Sequence, residues 1–135
     1  MTYLLDANAF SDLMRKDPRT EAHVAALSSS DEVVICPIVR GEILYGLARL
    51  PQGRRRDDLV RQAEPLFISI ACLPVPEAAA DAYASVKRAR EQRGLSLDEN
   101  DLWIAATAIA VGATLVTRDR DFVSIDGLAT IDWTV

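Results

Sequence analysis

The sequence predicts an α/β fold, a three-layer α/β/α sandwich around a mostly parallel central sheet. Two observations carry that prediction. Residues 3–5 of "TYLLDAN", 33–35 of "EVVICP" and 115–116 of "TLVTRD" form short continuous apolar runs, as strands buried on both faces do. Between these runs lie segments with apolar residues at helical spacing, and strands alternating with helices imply crossover connections between parallel strands.

Each element follows from local signals. After the first strand, "AFSDLMRKDPRTEAHVAALSSS" reads as two short helices separated at Pro18, with the serine triplet closing the second. The β-branched run in "EVVICP" is a second strand stopped by Pro37. "IVRGEILYGLARL" then places Ile38, Ile43, Leu44, Leu47 and Leu50 near helical period, and Pro51 with Gly53 ends that helix. A further helix covers about residues 54–70. "CLPVPEAAADAYASVKRAREQRG" predicts a short strand at 73–75, Pro76 in a helix's first turn, and a long helix ended by Gly94. "LSLDENDLWIAATAIAVGA" is a helix closing at Gly112, "TLVTRD" a strand, and "ATIDWTV" the final strand. No repeat or linker divides the chain, so residues 1–135 read as a single domain.

A length of 135 residues and a 50% hydrophobic content suit one domain with one core. No apolar stretch is long enough to span a bilayer, and Asp6 and Asp12 fall where a signal peptide would be basic and apolar, so a cytoplasmic protein with no membrane partner is expected. Cys36 and Cys72, distant in sequence and in apolar surroundings, are expected to be small buried side chains. The net charge of −5 argues against a general nucleic-acid coat. Two basic runs stand out locally: Arg49, Arg54, Arg55, Arg56 and Arg61, and then Lys87, Arg88, Arg90 and Arg93. Each reads as a solvated helix face, or as phosphate-holding surface if cations neutralise the acidic centre.

That acidic centre is the main functional signal. "LLDAN" and "LVTRD" each end an apolar strand at an aspartate, and parallel strands would aim Asp6 and Asp119 at one sheet edge, where open α/β folds bind ligands. Asp6 and Asn8 could also serve as helix N-caps. Asp121 competes with Asp119 but lies further out, before a packed segment starting at Phe122. Glu42 falls early in the helix after the second strand, near the same edge, and Gly46 one turn below it points to close approach of a backbone or ligand. Ser96 with Glu99 matches a capping box, which puts Asp98 and Asp101 in the first turn of the late helix. Asp101 shares a face with Ile104, Ala105, Ala108 and Gly112 and so points inward, while Asp98 lies nearer the mouth. Such acids without matching buried cations repel one another, and a hard divalent ion, Mg²⁺ or Mn²⁺, resolves the repulsion. One or two such ions would orient and activate water for in-line attack on a phosphodiester. His23, the sole histidine, sits among polar and small residues and is not expected to be a ligand.

At "YLLDAN", "GEILYG", "NDLWIAATA" and "TLVTRDRDF" the chain resembles the PIN-domain ribonucleases, and in particular the VapC toxins of toxin–antitoxin pairs. The four motifs occur in order and cover essentially the whole chain. The resemblance implies a metal-dependent endoribonuclease acting on structured RNA, tRNA included, restrained by a cognate small VapB-like antitoxin. It assigns the acidic cluster to Asp6, Glu42, Asp101 and Asp119, with Asn8 and Thr117 as polar support and Asp98 and Asp121 nearby. With the apolar early helices it also implies a homodimer. Ala7 stands where the family usually has threonine and Cys36 where serine or threonine is common, which would alter hydrogen bonding around the acids. Two other readings compete. A Mg²⁺-dependent phosphatase-like domain would need a second carboxylate two residues after Asp6 and a lysine at a strand end, whereas the chain's lysines are Lys16 and Lys87. A catalytically weak partner-binding module would use the acids for a structural ion.

Overall fold

Because the strands are enclosed by helices on both faces, their apolar runs pack without a polar side. β1 (Thr2–Leu5), β2 (Glu32–Ile35), β3 (Ala71–Cys72), β4 (Thr114–Val116) and β5 (Thr130–Ile131) form one sheet in the order β3-β2-β1-β4-β5, and every neighbouring pair is parallel. Leu4, Leu5, Val34, Ile35, Leu115 and Val116 at the strand centres and carboxyl ends are fully enclosed. The structure is a computed structural model and describes residues Met1 to Val135.

Six helices connect the strands: α1 (Ala7–Met14), α2 (Pro18–Ala25), α3 (Pro37–Ala48), α4 (Arg54–Ser69), α5 (Ala78–Gln92) and α6 (Glu99–Val111). The chain steps outward from β1 through β2 to β3 and then returns across the sheet to β4. Right-handed crossovers therefore put the first four helices on one face and the last two on the other. The reversal of strand order falls between β1 and β4, which makes the carboxyl ends of these two strands the switch point of the sheet. Leu5 is in register with Val116, and the Asp6 amide donates to the Val116 carbonyl at 3.2 Å, so the two chains diverge at the same level.

Local chemistry sets the boundaries. Asp17 accepts the Thr20 amide at 2.9 Å and Pro18 occupies the first position of α2, which separates α2 from α1 as the sequence predicts. Gly112 ends α6 with φ of 69°, a left-handed conformation that a side chain would strain. Several expectations are corrected. The third strand is Ala71–Cys72 rather than 73–75, because its pairing with Val34 and Ile35 at the sheet edge, not its hydropathy, defines it. Pro76 precedes α5, its carbonyl accepting the Ala79 amide at 2.9 Å. Cys36 is buried, but Cys72, on the short edge strand, is exposed. No other atom would lie within 4 Å of a Cβ at Gly46, so no backbone approaches it.

The core beneath α1 is anchored by Phe10, fully buried and stacked on Phe67 of α4 with ring centroids 5.0 Å apart. Phe10→Ala removes a ring that ties α1 to α4 and leaves a cavity. The expected loss is about 3–5 kcal/mol of unfolding free energy, read from the midpoint of a urea titration with unchanged slope.

Candidate active site

Each acid reaches the carboxyl edge for an identifiable reason. Asp6 is the residue after β1 and caps α1, its Oδ1 accepting the Ala9 amide at 2.8 Å. The cap bond uses Oδ1 and keeps the carboxylate at the sheet edge. Asp119 lies just beyond β4 and caps the short 3-10 turn Arg120–Phe122 through the Asp121 amide at 2.9 Å. Thr117 lies between the two: buried just after β4, its hydroxyl accepts the Asp119 amide at 3.0 Å and favours the charged form of the neighbouring Asp6 carboxylate. Glu42 is half-buried in α3, and Asp101 is half-buried in the first turn of α6.

The electrostatics identify these residues as neighbours. Burial pushes the Asp101 carboxyl up to about 6, and the charges of Asp98, Glu42, Asp119 and Asp6 add to the rise. Glu42 is raised by burial and by Asp98 and Asp6, with an opposing hydrogen bond from Asn100. Asp6 is raised chiefly by its burial, against the pull of Thr117, the Ala9 amide and the Arg118 charge. No lysine or arginine offsets the charge on Glu42 or Asp101. Carboxylate oxygens in excess of local positive charge are the donor set a hard divalent cation takes. No three of these side chains close into a ready-made chelating group, so the acids line an open mouth.

Asp98 differs from expectation. It is the N-cap of α6, accepting the Asn100 amide at 3.1 Å, and it is exposed. The predicted capping box therefore does not form; Glu99 instead accepts from the Tyr83 hydroxyl at 2.6 Å and pairs with Lys87 of α5. An ionised partner one helix away outcompetes a local amide. The same pairing occupies Lys87, and Lys16 follows the end of α1, so neither lysine stands at a strand end as a phosphatase-like site would need. Asn8 and Asp121 are both exposed, and Asp121 meets the site through its backbone amide. His23 stacks on Trp133 with its Nε2 3.1 Å from the Val135 carbonyl oxygen. Cys36 takes the N-cap position of α3 without a side-chain capping bond, and burial pushes its thiol up. A serine or threonine at this position would supply the capping oxygen that the thiol does not.

Three contributors were not singled out in the sequence. Asn100 stands beside Glu42, where α6 meets α3, and favours its charged form. Asp12 is buried in α1 and is held by Arg15 and, at 3.3 Å, by Arg118 from the loop after β4. That pair fixes the segment between Thr117 and Asp119 against α1. A charge on the otherwise apolar face of Ala9, Phe10 and Met14 was the available signal for Asp12; Asn100 and Arg118 sit inside quoted motifs but carry no signature of their own.

An acidic carboxyl edge on a parallel α/β sheet is found in a small set of folds. Residues 3–128 match the PIN domain family. Toxin FitB of Neisseria gonorrhoeae is 34% identical over 122 residues, covering 86% of each chain. Ribonuclease VapC2 of Rickettsia felis is 29% identical over 139 residues, covering 98% of each. The structure of VapBC2 from Rickettsia felis, bound to a DNA fragment from their promoter, superposes with a TM-score of 0.88 at 26% identity, covering 98% of this chain and 99% of that one. The chain belongs to the PIN domain family.

The raised pKa of Asp101 gives a stability test. A carboxyl raised from 3.8 to about 6 on folding stabilises the metal-free fold fully below its unfolded value, and that contribution is lost as pH rises through about 6. Asp101→Asn keeps the neutral form at every pH. In EDTA the variant is expected to melt a few degrees above wild type at pH above about 6, with the gap closing on acidification, by differential scanning calorimetry.

Proposed function

We propose that the protein is a Mg²⁺- or Mn²⁺-dependent endoribonuclease and the toxin of a toxin–antitoxin pair. The observation that carries the reading is the convergence of Asp6, Glu42, Asp101 and Asp119 at the switch point of the sheet, in a chain whose relatives are named ribonuclease and toxin. The four carboxylates would hold the ion. When bound, the cation supplies the charge that activates water and stabilises the leaving oxygen of a phosphodiester. The chain's own work is positional: Thr117 orients Asp6 and Asp119, Asn100 orients Glu42, and the Asp12–Arg118 pair fixes the loop that carries Asp119. Arginines of the basic runs at the ends of α3 and α4 would hold the RNA backbone, so the target is set by shape.

The partner follows from the relatives, which occur as VapBC and FitAB complexes. Between α3 and α4 lies an open groove lined by Leu44, Leu47, Val60, Phe67 and Ile68, with Arg40 and Glu64 on its rim. Ile68 is 87% exposed. An apolar strip of this kind fits the apolar face of an antitoxin helix. The protein acts in the cytoplasm as a homodimer in this reading; no helix is long and apolar enough to cross a membrane.

Purified protein is expected to cut RNA with Mg²⁺ or Mn²⁺ and not in EDTA. Asp6→Asn and Asp101→Asn should each lower the rate by at least about 100-fold, since loss of a ligand exceeds the effect of losing an outer partner, while Asp98→Asn leaves most of it. Equal loss in Asp98→Asn would add that residue to the ligand set, and metal-independent cutting by all of them would contradict the reading. For the partner, Ile68→Glu should weaken antitoxin binding by at least about 10-fold in calorimetry with cleavage of RNA by the free protein unchanged.

A further inference from the structure

Arg90 belongs to a basic run that reads as a solvated face, yet it is only 6% exposed. Its Nε has no hydrogen-bond partner, and no carboxylate pairs with it. A buried guanidinium without a counter-ion is costly to keep. Its bonds go instead to backbone and hydroxyl oxygens of two different loops. Nη2 donates to the Ser96 carbonyl at 3.2 Å; Nη1 donates to the Ser124 hydroxyl at 3.2 Å and to the Asp121 carbonyl at 3.4 Å.

Those two loops carry the site. Ser96 lies two residues before Asp98, the N-cap of α6, whose next turn presents Asp101. Asp121 lies two residues after Asp119, and its amide already bonds the Asp119 carboxylate at 2.9 Å. We propose that Arg90 is a positioning residue: its fork clamps the loop before α6 to the turn after β4 and so sets the separation of Asp101 and Asp119. The inference rests on the metal-nuclease reading for its functional consequence. A planar guanidinium bridges two acceptors in fixed geometry, whereas a lysine ammonium keeps the charge and the aliphatic stem but holds one point. Arg90→Lys is therefore the informative variant, with the fold retained.

The test has a metal-free arm and a metal arm. In metal-free protein, amide hydrogen exchange followed by NMR should speed up by about 10-fold or more in the segments around Ser96 and around Asp119 to Ser124 of Arg90→Lys, with β1 and β2 unchanged. Unchanged exchange in these segments, or a uniform rise across the sheet, would overturn the clamp and leave the nuclease reading intact. In the metal arm, Mn²⁺ affinity by calorimetry should fall by about 10-fold or more and kcat should fall with it, while KM for RNA stays put. Wild-type affinity in the variant, or a change confined to KM, would overturn the positioning role. Absence of Mn²⁺ binding by wild-type protein would instead overturn the nuclease reading, and with it the consequence of the clamp at the site.

Discussion

Like charges held together in a partly desolvated pocket repel, and the fold of this protein is arranged so that several carboxylates cannot escape that repulsion. Asp6 and Asp119 are fixed by the ends of adjacent parallel strands, Glu42 by the second turn of α3 and Asp101 by the first turn of α6, helices from opposite layers. The result is a group of acids in which Asp6, Glu42 and Asp101 hold protons more tightly than free carboxyls do, with Asp101 raised to about 6. A metal-free protein carries this as a cost, and in the proposed reading a divalent cation would turn the same charges into ligands.

Everything around the acids limits their motion. Each of the two strand-end aspartates accepts a backbone amide on one carboxylate oxygen, which fixes its direction. Thr117 couples them, and the buried Asp12 with Arg118 stops the intervening loop from swinging. On the opposite layer Asn100 reaches Glu42, so α6 and α3 meet across the edge of the sheet. The site is held by short local bonds rather than by one large core contact.

How much of this could be read in the residues depends on whether the signal was local. The apolar runs ending at Asp6 and Asp119, the stripe headed by Asp101, the breaks at Pro18 and Gly112, and the packed segment at Phe122 are all local, and the structure has them in place. Three features depended on distant partners. Glu99 left its capping box because Lys87 and Tyr83 of another helix offered a stronger bond. The third strand was misplaced because an edge strand of two residues is defined by its neighbour's ladder and not by its own hydropathy. Arg90 looked like one more surface cation because its acceptors, on loops around Ser96 and Asp121, are adjacent only after folding. Gly46 has open space around it, which removes backbone approach from the two reasons its helical position suggested.

The central claim is that the acid cluster is built to exchange protons for a divalent ion, and counting those protons tests it most directly. Mn²⁺ is titrated into wild-type protein near pH 6 by calorimetry, in two buffers of different ionisation enthalpy, so that the difference in heat reports protons released. With Asp101 half-protonated at about that pH, the account predicts a net release of protons on binding, which fades as the pH is raised well above that value. Binding that releases no protons at either pH, or no binding at all, would contradict it.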